Sequence, residues 1–249
     1  VATVSAQFVV MFVMMVGVFR SKKEENVLKG IRLFEPFSKE ELGNICKIGG
    51  PTAIQGMVYC MISMVLTRMV AAFGAEAIAT QRVGGQIESV SWNTADGFAA
   101  ALNAFVGQNY GAKKMDRVQK GYRISFWTVA IWGALIMLAF IIFPGPIAGV
   151  FFHEEKAMEI AISYLIIIGF SEAFMCVELM TIGALSGLGK TKLCSVISIT
   201  ATSMRIPLAM VLSRTSLGLD GIWWALTLTS VAKGIIFYLT FRYQMREKC

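Results

Sequence analysis

The chain has 249 residues, 56% of them hydrophobic and only 16% charged, with a mean hydropathy of +0.64 and a formal net charge of +7. Soluble domains are ~25% charged, so this composition excludes an ordinary water-soluble domain and points to a bilayer; the basic residues do not gather on one face of a soluble fold, which argues against a nucleic-acid surface. Cys46, Cys60, Cys176, Cys194 and Cys249 are odd in number, widely spaced and mostly inside apolar runs, so they read as small buried hydrophobes instead of a disulfide framework or a metal site.

The first predicted span is residues 1–19, which at ~1.5 Å per residue nearly crosses a ~30 Å hydrocarbon layer. It opens at Val1 inside an apolar run and lacks the basic n-region and small-residue cleavage site of a signal peptide, so the chain reads as a fragment or processed form of a longer protein. Residues 20–44 are a mixed-charge connector. Ser38 and Glu41 have capping-box spacing and predict a short interfacial helix there; the first half reads equally as a solvated loop.

The second span runs from about Ile48 to Phe73, with Gly49, Gly50 and Pro51 near its start, where a proline costs no hydrogen bond. Gln55 and Tyr59 share one of its faces, and Arg68 near its far end can snorkel to the interface. After a turn at Gly74 comes the third span, 75–106, roughly 48 Å if straight and therefore tilted, projecting or bent, with Gly84-Gly85 and Gly97 as the places for bending. The fourth covers 124–143 and ends at Pro144-Gly145-Pro146. The only histidine, His153, lies beside Glu154 and Glu155 in the next connector, which reads as a solvated loop and not a metal site. The fifth span, about 160–185, carries Glu172 and Glu178; the sixth, 193–212, carries Arg205 and Pro207; the seventh covers 221–241.

Positive charge orients this array. Basic residues gather in the connector after the first span, between the third and fourth (Lys113, Lys114, Arg117, Lys120, Arg123), between the fifth and sixth (Lys190, Lys192) and at the C-terminus (Arg242, Arg246, Lys248). The alternate connectors hold none, Lys156 and Arg214. The alternation places the C-terminus in the cytoplasm and supports seven spans.

Chemistry is sparse. Gly183 to Thr191, GALSGLGKT, resembles a phosphate loop but has Ala184 where the motif needs its first glycine, so it is a helix-ending turn relaxed by Gly187 and Gly189. No metalloprotease or serine-hydrolase motif and no histidine within a span is present, which disfavours an enzyme. What remains is charge inside the membrane: Glu88, Asp96, Glu172, Glu178, Arg205 and Lys233, each costing ~2.5 kcal/mol or more at the bilayer centre unless it faces a cavity or a partner. Glu178 and Arg205, of similar depth and opposite sign, are expected to form a structural or gating pair across the fifth and sixth spans.

The third span is the most polar. On a helical wheel Gln81, Glu88, Ser89, Trp92, Asp96 and Asn103 occupy one stripe about 100° wide, opposite Val83, Ile87, Val90, Phe98, Ala101 and Phe105. Glu88 and Asp96 lie ~12 Å apart along the axis, too far for one ion between them and suited to two relays on a water-filled path. Trp92 either stacks on a planar cationic guest or packs in the bundle.

Gly49-Gly50-Pro51, Phe73-Gly-Ala-Glu-Ala-Ile-Ala-Thr-Gln81, Ile87-Glu-Ser-Val-Ser91, Val106-Gly-Gln-Asn-Tyr-Gly-Ala-Lys-Lys114, Gly183 to Lys192 and Arg205-Ile-Pro-Leu-Ala209 together resemble the multidrug and toxic compound extrusion (MATE) family across nearly the whole chain. The resemblance implies an all-α polytopic fold in which residues 1–19 are the last helix of an N-terminal lobe, 20–44 the lobe linker, and 45–249 the C-terminal six-helix lobe of a twelve-helix, two-lobe transporter. It implies efflux of organic cations or drugs in exchange for protons or sodium, by alternating access, in a bacterial cell membrane. No cofactor beyond the coupling ion and no metal is expected; the partners are an amphipathic or cationic small molecule, the bilayer and the missing lobe, not nucleic acid. Sodium-coupled members carry acids at positions that map to Tyr59 and Met175, so the coupling or substrate site is expected instead at Glu88 and Asp96, lined by Gln55, Gln81, Trp92 and Asn103. A lipid-linked precursor flippase of related fold is the alternative, with a channel or a non-transporting scaffold as readings of a different class.

Overall fold

Residues 2–20 and 38–246 are described in a computed structural model, and among them every regular element is helical. The connector at 21–37, with Lys22, Lys23, Lys29 and Arg32, lies outside the described residues, as do Lys248 and Cys249. The chain divides into two units, 1–44 and 45–249. The first contains α1 (Ala2–Arg20), whose side chains from Val4 to Met15 are exposed. The second contains all that follows about cavities and packing.

Helix α2 (Lys39–Ala71) begins where the interfacial helix was expected and does not stop before the membrane span. Pro51 therefore sits inside a continuous helix and not in a first turn, leaving the Lys47 carbonyl without its helical donor. Helix α3 (Ala75–Gly111) is likewise continuous through Gly84-Gly85 and Gly97. Then come α4 (Met115–Ile142), the short α5 (Pro144–Gly149), α6 (Glu155–Gly187), α7 (Thr191–Ser203), α8 (Arg205–Leu212) and α9 (Leu219–Arg246). By length and apolarity, the spans 49–71, 115–142, 191–212 and 219–246 can each cross a membrane, and the bent α6 makes a fifth. The count of seven also needs α3, too polar by this measure, and α1, whose apolar stretch is shorter.

Two irregularities have local causes. Helix α6 bends by 50° between Gly169 and Glu172, where Gly169 weakens the helix and Ser171 Oγ bonds back to the Ile168 carbonyl at 2.8 Å. The Ile167 carbonyl there accepts from Thr227 Oγ1 of α9 at 2.8 Å. The break between α7 and α8 falls at Met204, and Pro207 explains it: the ring has no N–H and crowds the carbonyl of Ser203.

The turns sort to two ends. Glu76 and Lys156 approach to 3.5 Å, and a Cβ on Gly218 would meet Phe73 at 3.6 Å, so the turns after α2, before α6 and before α9 share one end. At the other end α3 and α6 finish alike: Lys114 N–H reaches back to Asn109 and Lys190 N–H to Leu185, closing the helices through residues of positive φ, Lys113 (58°) and Gly189 (75°). Gly189 thus fills the expected helix-ending role. Gly187 does something else, lying against the Asn103 carbonyl, where a Cβ would be 2.6 Å away.

Helix α6 is the hub, packed on α3, α4 and α9. In a bilayer this association depends on close packing and interhelical hydrogen bonds more than on burial from water. The face that α3 buries is made of small side chains, Ala77, Gly84, Ser91, Ala95 and Ala99, with Leu102 and Val106 toward its end. A Cβ on Gly183 of α6 would lie 2.3 Å from the Ala99 carbonyl oxygen, and one on Gly234 of α9 would lie 2.6 Å from the Phe174 carbonyl, so both contacts are backbone on backbone. Ser91 Oγ meets Cys176 Sγ at 3.3 Å and Tyr122 OH meets Thr181 Oγ1 at 3.0 Å, fastening α3 and α4 to the same helix.

The expected pair of Glu178 with Arg205 does not form. Glu178 accepts from Lys233 Nζ of α9 at 2.8 Å, with both side chains buried. Arg205, at the start of α8, turns instead to α9 and donates through Nε to Thr229 Oγ1 at 3.0 Å and through Nη2 to Ser230 Oγ at 2.9 Å. The α8 direction set by Pro207 lets the guanidinium reach these hydroxyls, while Lys233, one turn beyond, faces α6.

Two substitutions test this packing in the purified full-length protein. Gly183→Val is expected to cost at least ~1–3 kcal/mol, as overpacking against rigid backbone does, whereas Gly97→Ala, with nothing within 4 Å of its Cβ, leaves the melting temperature in detergent unchanged; equal melting of the two would contradict the contact. Lys233→Met strands a buried carboxylate and is expected to destabilise by ~3–5 kcal/mol, with most of the loss recovered by adding Glu178→Met; a double variant as unstable as the single would show that the pair is not the cause.

Candidate functional site

Six helices of the second unit, α2, α3 and α6 to α9, line two adjoining cavities. The larger, about 410 Å³, is walled by Tyr59 of α2, Gln81, Glu88 and Trp92 of α3, Tyr164 and Met175 of α6, Arg205 of α8 and Ser230 of α9. The smaller, about 280 Å³, shares Tyr59, Trp92, Met175, Arg205 and Ser230 and adds Gln55, Glu178 and Lys233. Each irregularity of the fold contributes to these walls. The bent α6 supplies residues from both its limbs, and the α7–α8 break places Arg205 on the boundary between the cavities.

Glu88 is the acid of the larger cavity, and its carboxylate is held. Tyr164 donates its hydroxyl proton to Glu88 Oε1, and the tyrosine is itself fixed by packing. Its ring lies over Gly84, where a Cβ would come within 2.2 Å of the ring, and it meets Trp223 edge-on at 5.0 Å between centroids. Gly84 thus serves to admit an aromatic ring and not to bend α3. Arg205 shares the cavity wall and its charge acts on Glu88. The group is an oriented carboxylate with a cation nearby, able to accept a proton or a cationic guest.

Of the other residues singled out from sequence, Gln81 lines the larger cavity with its Oε1 buried and unpartnered, Trp92 lines both, and Gln55 lines the smaller. Asp96 and Asn103 line neither; they are exposed on the outer side of α3. The wheel accounts for the separation. The buried small residues of α3 centre near roughly −60° on the wheel that has Gln81 at zero, Glu88 sits at about −20° on the edge of that packed face, and Asp96 at about 60° is turned away from it. Tyr59 and Met175, the positions at which the resemblance implies acids, line both cavities.

Tyr164, which lines the larger cavity, and Glu172, which lies behind its wall and lines neither cavity, were not predicted as members of the site. Tyr164 carries no signal in the sequence, since an aromatic in an apolar helix is ordinary. Glu172 had one, being an acid within a span. It is fully buried, Ser91 is the one hydroxyl near its carboxylate and makes no well-formed hydrogen bond to it, and the charge of Glu88 acts on it. Among the described residues no group of three or more histidine, cysteine or acidic side chains is placed to hold a metal ion, and Cys46, Cys60, Cys176 and Cys194 are free thiols.

The sequence model of the MatE family matches residues 51–211. A probable multidrug resistance protein NorM of Thermotoga maritima is 28% identical over 99% of this chain and 53% of its own length, and the probable multidrug resistance protein YoeA of Bacillus subtilis is 24% identical over 99% of this chain and 54% of its own. Among solved structures, a MATE protein crystallised in the straight conformation superposes with a TM-score of 0.83 at 19% identity, covering 96% of this chain and 54% of that one. The Vibrio cholerae MATE transporter VcmN in its bent form gives 0.77 at 20%, covering 87% and 50%. At these identities the structures show the fold alone, and the chain spans about half the length of the curated relatives it matches. From the family match over most of its length and the helical fold it shares with those transporters, the chain belongs to the MatE family of multi-pass membrane transporters.

Proposed function

We propose that this chain is the C-terminal lobe, preceded by the last helix of the other lobe, of a bacterial multidrug efflux antiporter that exchanges cationic or amphipathic compounds for protons or sodium by alternating access. The observation that carries the reading is the Glu88 carboxylate, held by Tyr164 in a cavity among six helices. A proton, or a sodium ion, and an organic cation compete for one carboxylate, and that competition couples uptake of one to release of the other. Trp92, half exposed in the cavity wall, offers an aromatic face to a planar guest. Glu172, buried close by without a well-formed hydrogen bond, is the second carboxylate that a proton route through this lobe would use.

The outer surfaces of the lobe agree with a missing half. From Ile124 onward the large exposed residues of α4 are apolar (Ile124, Trp127, Ile131, Leu135 and Leu138), as a lipid-facing surface requires. Helix α3 instead exposes Asn93, Asp96 and Asn103, a face too polar for lipid, suited to the aqueous path between two lobes. The flippase reading needs free cations for a pyrophosphate; Lys233 is engaged by Glu178 and Arg205 by two hydroxyls. The end bearing Lys113, Lys114, Lys190 and Lys192 faces the cytoplasm in this account.

In cells expressing the full-length gene, Glu88→Gln is expected to lower cationic-dye efflux by ~10-fold or more at unchanged membrane expression, with Tyr164→Phe intermediate and Asp96→Asn milder than either. Wild-type efflux in Glu88→Gln would remove the site from the mechanism. Orientation is checked separately. A cysteine replacing Glu154 in a cysteine-free background is expected to react with a membrane-impermeant maleimide in intact cells, and one replacing Lys190 only after permeabilisation; the reverse pattern would invert the topology.

A further inference from the structure

A further cavity of the second unit lies apart from the Glu88 site. It occupies about 480 Å³ between the first turns of α4 and the last turns of α9, at the Lys113 and Lys190 end of the lobe, and the mechanism proposed above does not use it. Its cations are Arg123, Arg242 and Arg246, all exposed, with no acidic residue in its lining and no ion pair to any of the three among the described residues. Its floor is aromatic: Tyr122 stacks on Phe241 with centroids 3.7 Å apart, and Phe126 lies beside Tyr238 at 5.1 Å. The Arg242 guanidinium is oriented by Tyr238, donating to its hydroxyl at 3.0 Å and lying 5.9 Å from its ring centre.

A second cavity of about 260 Å³ continues from the first, sharing Phe126 and Tyr238. Its remaining walls are apolar, Ala130 of α4, Ala173, Phe174 and Val177 of α6, and Gly234 and Ile235 of α9. The width of this slot depends on Gly234, whose backbone lies on that of Phe174. Together the cavities form one seam with a cationic mouth at the helix ends and an apolar channel running toward the middle of the span. The mouth opens beside Ile124, Trp127, Leu239 and Tyr243, all well exposed and apolar or aromatic, on the side of the lobe opposite in character to the polar face of α3.

We infer that this seam holds an anionic phospholipid, its phosphate among Arg123, Arg242 and Arg246 and one acyl chain in the slot between α4, α6 and α9. Charge decides the headgroup: three guanidiniums with no acidic residue in the lining among the described residues select an anionic head over a zwitterionic one. Shape decides that the ligand is a lipid and not a free anion, because a phosphate ion would leave the apolar slot unfilled. The aromatic floor sits at the depth where headgroup meets chain, where tyrosine and tryptophan rings are favoured. The bound lipid would bridge α4 and α9 at their ends, tying the lobe's packing to membrane composition.

The test is native mass spectrometry of the full-length protein, delipidated and then offered equal amounts of phosphatidylglycerol and phosphatidylcholine of the same chain length. The wild type is expected to retain phosphatidylglycerol with about tenfold preference, and Arg123→Gln/Arg242→Gln/Arg246→Gln to lose the preference while melting normally in zwitterionic detergent. Ala130→Trp, which fills the slot and leaves the charges, is expected to weaken retention of the long-chain lipid several-fold but not that of a short-chain analogue. No headgroup preference in the wild type, or undiminished preference in the triple variant, would overturn the site. Retention unaffected by Ala130→Trp, with inorganic phosphate displacing the lipid fully, would reduce it to an anion site and also overturn the proposal. Should the triple variant not fold, Arg246→Gln alone is expected to show a partial loss, and no loss there would count against the proposal.

Discussion

The packing of α3, α4 and α9 is arranged around the close approach of helix backbones to α6. Gly183 lies against Ala99 of α3 and Gly234 against Phe174, with Cβ space of 2.3 and 2.6 Å that no side chain fills. Once these contacts are made the neighbours of α6 have little freedom to slide, because a bilayer provides no hydrophobic penalty for separating helices and the tight contacts and hydrogen bonds carry the association. The consequences reach the cavity. Gly84 on the same small-residue face of α3 leaves room for Tyr164 of α6, and Tyr164 in turn fixes the carboxylate of Glu88. The site is a by-product of how closely two helices pack.

That dependence explains what the sequence disclosed. Composition, the alternation of basic connectors and the runs of apolar residues placed each span on a helix, although α2 and α4 begin well before the expected starts at 48 and 124 and the sixth span is broken into α7 and α8. The helix-ending turn at Gly189 was plain from its glycines. The polar stripe of α3 was also legible, and Gln81, Glu88 and Trp92 do meet in one cavity. What a two-faced wheel could not show was the third face. Small residues such as Ala95 and Ala99 score as neither wet nor greasy, yet they are the ones buried, while Val90 and Phe98 of the apolar side are exposed. Their position decides that Glu88 turns inward and Asp96 does not. Interhelical pairing was illegible for a related reason. Depth and sign made Glu178 and Arg205 plausible partners, but the break that Pro207 imposes directs Arg205 to Thr229 and Ser230 and leaves Glu178 to Lys233.

The second unit thus contains three kinds of charge. Lys233–Glu178 and Arg205 with its hydroxyls are satisfied and tie α6 and α8 to α9. Glu88 and Glu172 are acids without an ion pair among the described residues, the first held by a tyrosine and the second near Ser91 without a well-formed hydrogen bond. Groups of the first kind hold the bundle together, and groups of the second kind are the ones that change protonation in the transport cycle proposed above. The arginine-lined seam between α4 and α9 belongs to a third category, on the surface that meets lipid, and in this account it lets the membrane act on the packing that positions the tyrosine.

The central claim, that proton and guest compete at Glu88, is most directly examined by proton counting. A cationic dye is added to the purified full-length protein in weakly buffered detergent at a pH where the empty site is protonated, and released protons are followed with a pH indicator. The account predicts a proton released on dye binding by the wild type and none by Glu88→Gln. Release of equal size from both, with the dye bound in each, would contradict it.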